Sequence, residues 1–497
     1  MALIQVEHLT FSYDGGLAPV FEDVSFQIDT DWKLGLIGRN GRGKTTFLKL
    51  LMGAYPYQGR ISTSEQFLYF PYEVKDKKRL TIDILPEISE AYEEWKIRKE
   101  LSGLDVEIDD ILYRPFETLS NGEQTKVLLA AMFMEEDRFF LIDEPTNHLD
   151  QRVREIVGRY LKAKKSFILV SHDRVFLDSC IDHVLSINKA NIEVQQGGFS
   201  TWWQNKQYQD QHERAENERL EKDMKRLASV ARRTAGWADD VERSKYRSEG
   251  PVDRGYIGHK SAKMMKRATA TQKRRERAVE EKQALLQNID ETETLKIHPL
   301  QHHQTNYVIA EQLSLFYGEK KVFSDIDFVI QRGARIALMG KNGAGKSSLL
   351  QLILGKEISH TGTLQLASGL RLSYVPQDTS FLKGELTTYA KERGLEESLF
   401  LAILRKMGFA REDFLTDMAR YSAGQKKKVL IAASLCEEAH LYIWDEPLNY
   451  IDVISRMQIE DLLLEYKPTM LFVEHDAAFV KKVASGEIWL SEAPIDQ

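Results

Sequence analysis

The chain carries one set of polar motifs twice, in one register. A glycine-lysine loop reads Gly38-Arg39-Asn40-Gly41-Arg42-Gly43-Lys44-Thr45-Thr46, and a second reads Gly340-Lys341-Asn342-Gly343-Ala344-Gly345-Lys346-Ser347-Ser348, displaced by 302 residues (340 − 38). From each loop lysine to a carboxylate pair, Asp143-Glu144 or Asp445-Glu446, the distance is 99 residues (143 − 44 and 445 − 346). Spacing conserved over such a stretch implies two copies of one folding unit, so the repeat sets the domain organisation before any local reading. With 497 residues the chain has room for two cores and a connector, at roughly 100–200 residues per domain. We read 1–195 as the first unit, 196–302 as the connector and 303–497 as the second unit.

Within each unit short apolar runs end at the polar motifs: FFLI before Asp143, SFILV before His172, LYIW before Asp445 and TMLFV before His475. Such runs read as strands buried on both faces of a mostly parallel sheet, an α/β arrangement. Each glycine loop follows an apolar strand (LGLIG, IALMG) and opens a helix-like stretch (TFLKLLMG, SLLQLILG), the context that a phosphate-binding loop requires. Gly38, Gly41 and Gly43, like Gly340, Gly343 and Gly345, let successive amides face phosphate at a helix N-terminus. Lys44 and Lys346 place a cation on the β and γ phosphates of ATP. Thr45 and Ser347 supply a hydroxyl for Mg²⁺, Asp143 and Asp445 hold the ion from the strand end, and Glu144 and Glu446 polarise the attacking water. Remaining loop positions Arg39, Asn40, Arg42, Thr46, Lys341, Asn342, Ala344 and Ser348 belong to the same cradle.

The connector differs in character. No Pro or Gly occurs from Trp202 to Ala235, where Leu220, Met224, Leu227 and Ala231 recur at helical spacing; a second helical stretch covers about 260–290. Gly236, Gly250, Pro251, Gly255 and Gly258 separate them, so a hairpin of two long helices with a tip at about 236–259 is expected. The whole chain has a net charge of −7, yet Val241–Glu280 holds 12 basic against five acidic residues, which points an anionic partner to the connector. Aromatics interleave with cations at Trp237, Tyr246, Arg247, Arg254, Tyr256 and His259, as stacking on RNA bases and contact with phosphates require. No apolar run reaches the ~18–20 residues of a membrane-spanning helix, and no secretory signal opens the chain, so a cytoplasmic protein without a membrane partner is expected. Two cysteines, Cys180 and Cys436, read as buried, reduced thiols.

Two further elements carry a family resemblance. Leu119-Ser120-Asn121-Gly122-Glu123-Gln124 and Tyr421-Ser422-Ala423-Gly424-Gln425 resemble the ABC signature, and each Ser lies 76 residues after its loop lysine (120 − 44 and 422 − 346). The resemblance implies that Ser120, Gly122, Ser422 and Gly424 bind the γ-phosphate of the opposite cassette. Lys44, Glu144 and His172 would then face Ser422, and Lys346, Glu446 and His475 would face Ser120. His172 and His475 look like the family's switch histidines, and Tyr13 and Tyr317 like the aromatics that stack on adenine. Gln377, in Tyr374-Val375-Pro376-Gln377, matches the glutamine that reaches Mg²⁺ and the attacking water, whereas the first copy has Tyr72 there. That break leaves two outcomes open: unequal turnover at the two sites, or a water in place of the amide.

Two fused cassettes, DEPTNHLD (143–150) and a long basic hairpin resemble the ABC-F family, whose members are ATP hydrolases acting on the ribosome. WDEPLNYID (444–452), GRNGRGKTT and FVEHDAAFVKK are most similar to its bacterial antibiotic-resistance group. The resemblance implies binding at the tRNA exit site of the bacterial ribosome, contact with large-subunit rRNA and tRNA, and protection from lincosamides, streptogramin A and pleuromutilins. A housekeeping translation factor is the alternative, and an ABC transporter subunit a more distant one. The matched 76-residue spacing leaves no room for an arm inserted in the first cassette, and no basic tail is expected after Trp489. Two cysteines cannot build the zinc site of DNA-repair ABC ATPases, so no DNA partner is expected. Pairing of the cassettes is intramolecular, in a monomer.

Overall fold

A computed structural model describes residues 3–13, 19–135, 137–147, 149–188, 191–209, 295–318, 320–341 and 343–490, with isolated helical positions between 211 and 273. The chain divides into two compact units. One holds Met1–Asn188, Ile192–Ser200 and Thr292–Gln497, and so both cassettes; the other holds Lys189–Asn191 and Thr201–Glu291.

The apolar runs form the expected strands. Phe139–Asp143, Phe167–Val170, Leu441–Asp445 and Met470–Val473 are buried along their whole length, and each pairs in parallel with its neighbours. In the first cassette the sheet order is Phe67–Phe70, Phe139–Asp143, Phe167–Val170, Lys33–Ile37, His183–Ile187, Ile192–Gln196, the last strand antiparallel. The second repeats this with Leu372–Val375, Leu441–Asp445, Met470–Val473, Arg335–Met339 and Gly486–Trp489. Both phosphate-binding loops therefore leave the carboxyl end of a central strand, where open parallel sheets bind ligands.

A second layer in each cassette is antiparallel. Leu3–Phe11 lies between Phe21–Asp29 and Gln58–Ser62, and Asn306–Tyr317 lies between Lys320–Gln331 and His360–Leu366. The loop helix is clamped between the two layers. Phe47, fully buried, packs edge-to-face on Phe21 (centroids 6.3 Å apart) and belongs to one apolar cluster with Leu34, Leu36, Ile168 and Val170. Leu349 and Leu350 do the same in the second cassette.

The connector is narrower than the 196–302 reading. Ile192–Gln196 pairs with His183–Ile187 and closes the first cassette's sheet, since a strand left at an edge without a partner exposes its backbone groups. At the other end Leu295 and Ile297 are buried in the second cassette's core, and Leu300 N donates to Ala439 O at 2.8 Å. Between these ends residues 201–209 are helical, as are the described positions from 211 to 226 and from 263 to 273. The tip at 236–259, with Trp237, Tyr246, Arg247, Arg254, Tyr256 and His259, lies outside the described residues. Among the described residues no helix is long and apolar enough to cross a membrane.

Both cysteines are free; Cys180 is buried, and Cys436 is half-buried rather than buried. Burial pushes each thiol up to about 12. The thiolate is the reactive form, so iodoacetamide at pH 8 is expected to alkylate the native chain at least ~100-fold more slowly than the urea-unfolded chain. Peptide mass spectrometry over a time course measures this.

Candidate nucleotide sites

Each site is built on a helix that begins at the loop lysine. Gly43 and Gly345 occupy the N-cap with φ of 90° and 91°, the left-handed region that glycine enters without strain. A Cβ at Gly43 would also stand 2.6 Å from Val20 Cγ1. The Lys44 ammonium donates to Gly38 O (2.8 Å) and Arg39 O (3.3 Å), and Lys346 donates to Gly340 O (2.8 Å) and Lys341 O (2.9 Å). Burial lowers the pKa of both lysines. Arg42 N and Ala344 N close the loops by donating to Arg39 O and Lys341 O. Asn342 is outside the described residues. The two aromatics stand over the loops in matching fashion: Tyr13 Oη lies 2.7 Å from Thr46 Oγ1, and Tyr317 Oη donates to Ser348 Oγ at 3.1 Å. Both tyrosines are exposed, and so open to stacking.

The hydroxyl and carboxylate assigned to Mg²⁺ meet in both copies. Thr45 Oγ1 donates to Asp143 Oδ2 at 2.8 Å, and Ser347 hydrogen-bonds Asp445, whose Oδ1 is buried without a partner. The next residues, Glu144 and Glu446, have φ of 53° and 47°. This left-handed turn is strained for glutamate. Both are held there by their N–H groups, which donate to Val170 O (2.9 Å) and Val473 O (3.0 Å) on the strands leading to the histidines. His172 Nε2 lies 3.0 Å from Glu144 Oε1, and His475 Nε2 lies 3.5 Å from Glu446 Oε1.

The two glutamates nevertheless differ. Glu446 Oε2 accepts from Gln377 Nε2 (2.7 Å) and Asn449 Nδ2 (2.6 Å). Burial pushes this carboxyl up, but His475, Gln377 and Lys346 outweigh it, and the pKa is lowered. For Glu144, burial and then Asp143 push the carboxyl up to about 8. Tyr69, three residues before Tyr72, donates to Asp143 Oδ2 at 3.0 Å, while Tyr374 instead accepts from Gln351 Nε2 at 2.9 Å. The substitution of Gln377 by Tyr72 thus comes with a rearranged set of partners. Burial also lowers the pKa of His172, well below the usual histidine range.

Both signature serines are helix N-caps in capping boxes. Ser120 pairs with Glu123 at the head of Asn121–Met132, and Ser422 with Gln425 at the head of Ala423–Cys436, which leaves first-turn amides facing outward. The structure sets the second signature against the first loop. A Cβ on Gly424 would fall 2.5 Å from Asn40 Nδ2 and 2.4 Å from Tyr450 O. Asn40 Nδ2 donates to Tyr450 O at 2.6 Å, and Asn40 N to Asp452 Oδ2 at 3.4 Å. Arg39 lies against Gly408, whose Cβ would come within 3.1 Å of Arg39 Nη1. At the other site Arg154 Nη1 donates across to His475 O at 3.2 Å, and the charge of Asp150 is felt at Lys346. Gly122 faces Val153 and Leu149 of its own cassette.

Sequence reasoning passed over Asn449, Tyr450, Asp452, Lys428 and Arg154. The signal was present in the matched acids Asp150 and Asp452, each a helix N-cap seven residues after its strand-end Asp (150 − 143 and 452 − 445).

The family model described as ABC transporter matches residues 21–147 and 323–449. The ribosome protection protein VmlR of Bacillus subtilis (strain 168) is 28% identical over 494 residues, covering 98% of this chain and 86% of VmlR. Erythromycin resistance ATP-binding protein MsrA of Staphylococcus epidermidis is 27% identical over 91% of this chain and 90% of its own. Energy-dependent translational throttle protein EttA of Haemophilus influenzae is 23% identical over 94% and 88%. Among solved structures, the complex of archaeal ribosome recycling factor aABCE1 with ribosomal stalk protein aP1 gives a TM-score of 0.64 at 19% identity, covering 98% of this chain and 88% of that one, a likeness of fold.

Gly424→Ala is expected to lower ATP turnover at least ~10-fold by forcing Asn40 and Tyr450 apart, on the scale that misplacing a positioned group costs. Gly122→Ala, with its nearest atom 3.4 Å away on the Val153 side chain, is expected to cost less. Steady-state phosphate release from the two variants decides between them.

Proposed function

This chain is a member of the ABC transporter family, an ATP hydrolase of the ABC-F kind with two cassettes in one polypeptide, and we propose that it protects the bacterial ribosome from antibiotics that act on the large subunit. The observation that carries this reading is the reach of the similarity to VmlR. It spans 98% of the chain, and so includes the basic connector that two paired cassettes do not need. Similarity to MsrA, a protein named for erythromycin resistance, supports it. On this reading ATP closes the cassettes, the closed form binds at the tRNA exit site, and the connector approaches the peptidyl-transferase region through rRNA and tRNA contacts. Hydrolysis then releases the factor. Lincosamides, streptogramin A and pleuromutilins are the proposed drug classes, and the cytoplasm is the proposed location.

At each site the loop amides and Lys44 or Lys346 bind the phosphates, Tyr13 or Tyr317 stacks on adenine, and Ser422 with Gly424 or Ser120 with Gly122 completes the pocket. Thr45 with Asp143, and Ser347 with Asp445 and Gln377, would hold Mg²⁺. The short hydroxyl–carboxylate approach at Asp143 and the buried, unpartnered Asp445 Oδ1 fit a hard cation. Held there, the ion would supply neutralisation of the charge on the phosphates. Glu144 and Glu446 take up the water's proton, and His172 and His475 contact the γ-phosphate. Because Gln377 and Asn449 orient Glu446 and Glu144 has no matching pair among the distances above, the second site is the better prepared for hydrolysis.

A housekeeping translation factor is the second reading, favoured by the similarity to EttA. Expression in a susceptible host, scored for growth on a lincosamide and a pleuromutilin, separates the two. Protection is expected to raise the inhibitory concentration of at least one drug about fourfold or more; unchanged susceptibility to both favours the housekeeping reading. The Glu144→Gln, Glu446→Gln protein is expected to hydrolyse ATP at least ~100-fold more slowly, as loss of a general base does. It should also cosediment with ribosomes only when ATP is present. Of the single variants, Glu446→Gln should lose the larger share of turnover.

A further inference from the structure

The boundary between the cassettes has two edges that the repeat makes equivalent by position, yet they are chemically unlike. Beside the first site, the helix Arg174–Cys180 begins two residues after His172 and sends Arg174 across to Glu460 on the helix Val453–Tyr466. Arg174 Nη1 donates to Glu460 Oε2 at 3.2 Å and Nη2 donates to Oε1, a two-pronged pair on a carboxylate with no solvent exposure. Lys482 Nζ, from Glu460's own cassette, adds a third contact at 3.0 Å.

In the register of the repeat Arg174, Glu460 and Lys482 correspond to Ala477, Gly158 and Ser179 (174 + 303, 460 − 302, 482 − 303). No charge stands at any of these positions beside the second site. A cavity of about 340 Å³ lies there instead, whose lining includes Phe176 and Ala477 together with the charged Arg154, Glu155, Arg159 and Asp173. Across this edge Arg154 Nη1 donates to the His475 carbonyl at 3.2 Å. Parting the first edge breaks two hydrogen bonds between oppositely charged partners together, whereas parting the second breaks a hydrogen bond in which only the donor is charged and opens a space already loosely filled.

We propose that Arg174 and Glu460 form a latch that keeps the first-site edge of the cassette boundary closed while the second-site edge opens and shuts with each ATP. The latch rests on the two-site reading given above and adds an order to it: nucleotide at Lys44 is retained, and nucleotide at Lys346 exchanges. Arg174 acts here as a positioning residue, holding the segment that carries His172 against the opposite cassette. Lys482 leaves Glu460 with a partner if the latch parts, so the pair can open without stranding a buried charge.

The test uses full-length protein carrying Glu144→Gln and Glu446→Gln, loaded with a fluorescent N-methylanthraniloyl ATP and chased with unlabelled ATP. Release is expected in two phases of similar amplitude; adding Lys44→Ala removes the slow one and adding Lys346→Ala the fast one. Arg174→Ala is expected to speed the slow phase at least tenfold and leave the fast phase within twofold. Glu460→Gln, which preserves side-chain volume, should do the same and serves if Arg174→Ala does not fold. A single phase, a slow phase that belongs to Lys346, or equal acceleration of both phases would overturn the latch. If neither lysine variant removes a phase, the assignment of the two sites fails first, and the latch with it.

Discussion

Asp452 ties the second cassette to the first site through three elements at once. Its carboxylate is fully buried, caps the helix Val453–Tyr466 through Ser455 N (2.9 Å), accepts from Lys428 Nζ (2.7 Å) on the signature helix, and receives Asn40 N of the opposite loop at 3.4 Å. Burial alone would push this carboxyl up, but the Lys428 charge beside it prevails and holds it well below the usual carboxylate range. One side chain thus joins a helix cap, the signature helix and the phosphate-binding loop of the other cassette. Removing one partner of such a buried pair costs on the order of 3–5 kcal/mol. The folded-state pKa of Asp452 is depressed, so its contribution is present above the ordinary Asp value and fades as the solution is acidified through the folded-state pKa.

The same position in the first cassette is built more lightly. Asp150 caps its helix through Val153 N at 2.9 Å, while Lys126, the counterpart of Lys428, donates to Asp105 O at 3.2 Å as Lys428 does to Met407 O at 2.7 Å, without the further ion pair that Lys428 makes with Asp452. The asymmetry recurs at each level of the boundary: Gln377 against Tyr72, Glu446 with two amide donors against Glu144, an ion pair bridging one edge against a cavity at the other. A duplicated frame therefore carries two sites with different surroundings. The frame itself stays common because the loop helices, the strand ends and the left-handed glutamates obey the same local geometry in both halves.

Much of that frame was legible in the residues. Continuous apolar runs before Asp143, His172, Asp445 and His475 marked buried parallel strands because both faces of such strands are covered. Glycines at Gly43 and Gly345 marked helix starts, since the backbone there takes a positive φ. The antiparallel layers were less legible: Leu3–Phe11 alternates, but which strands flank it depends on pairing across 58–62, beyond any local period. The connector's ends were misplaced because Leu295 and Ile297 lie in a polar stretch and show their role only in the core they enter.

By itself, the sequence determined two copies of one cassette frame, each with a glycine-lysine loop at a helix start and a carboxylate pair at the end of a buried strand. Each of these follows from backbone geometry and spacing within one copy. Only the tertiary structure decided what meets across the boundary: Asn40 with Tyr450, Arg154 with His475, Arg174 with Glu460. Those partners lie 410, 321 and 286 residues apart, and no periodicity relates them. They are set by how two independently formed cores dock, and docking is governed by the shape and charge of whole surfaces rather than by neighbours along the chain.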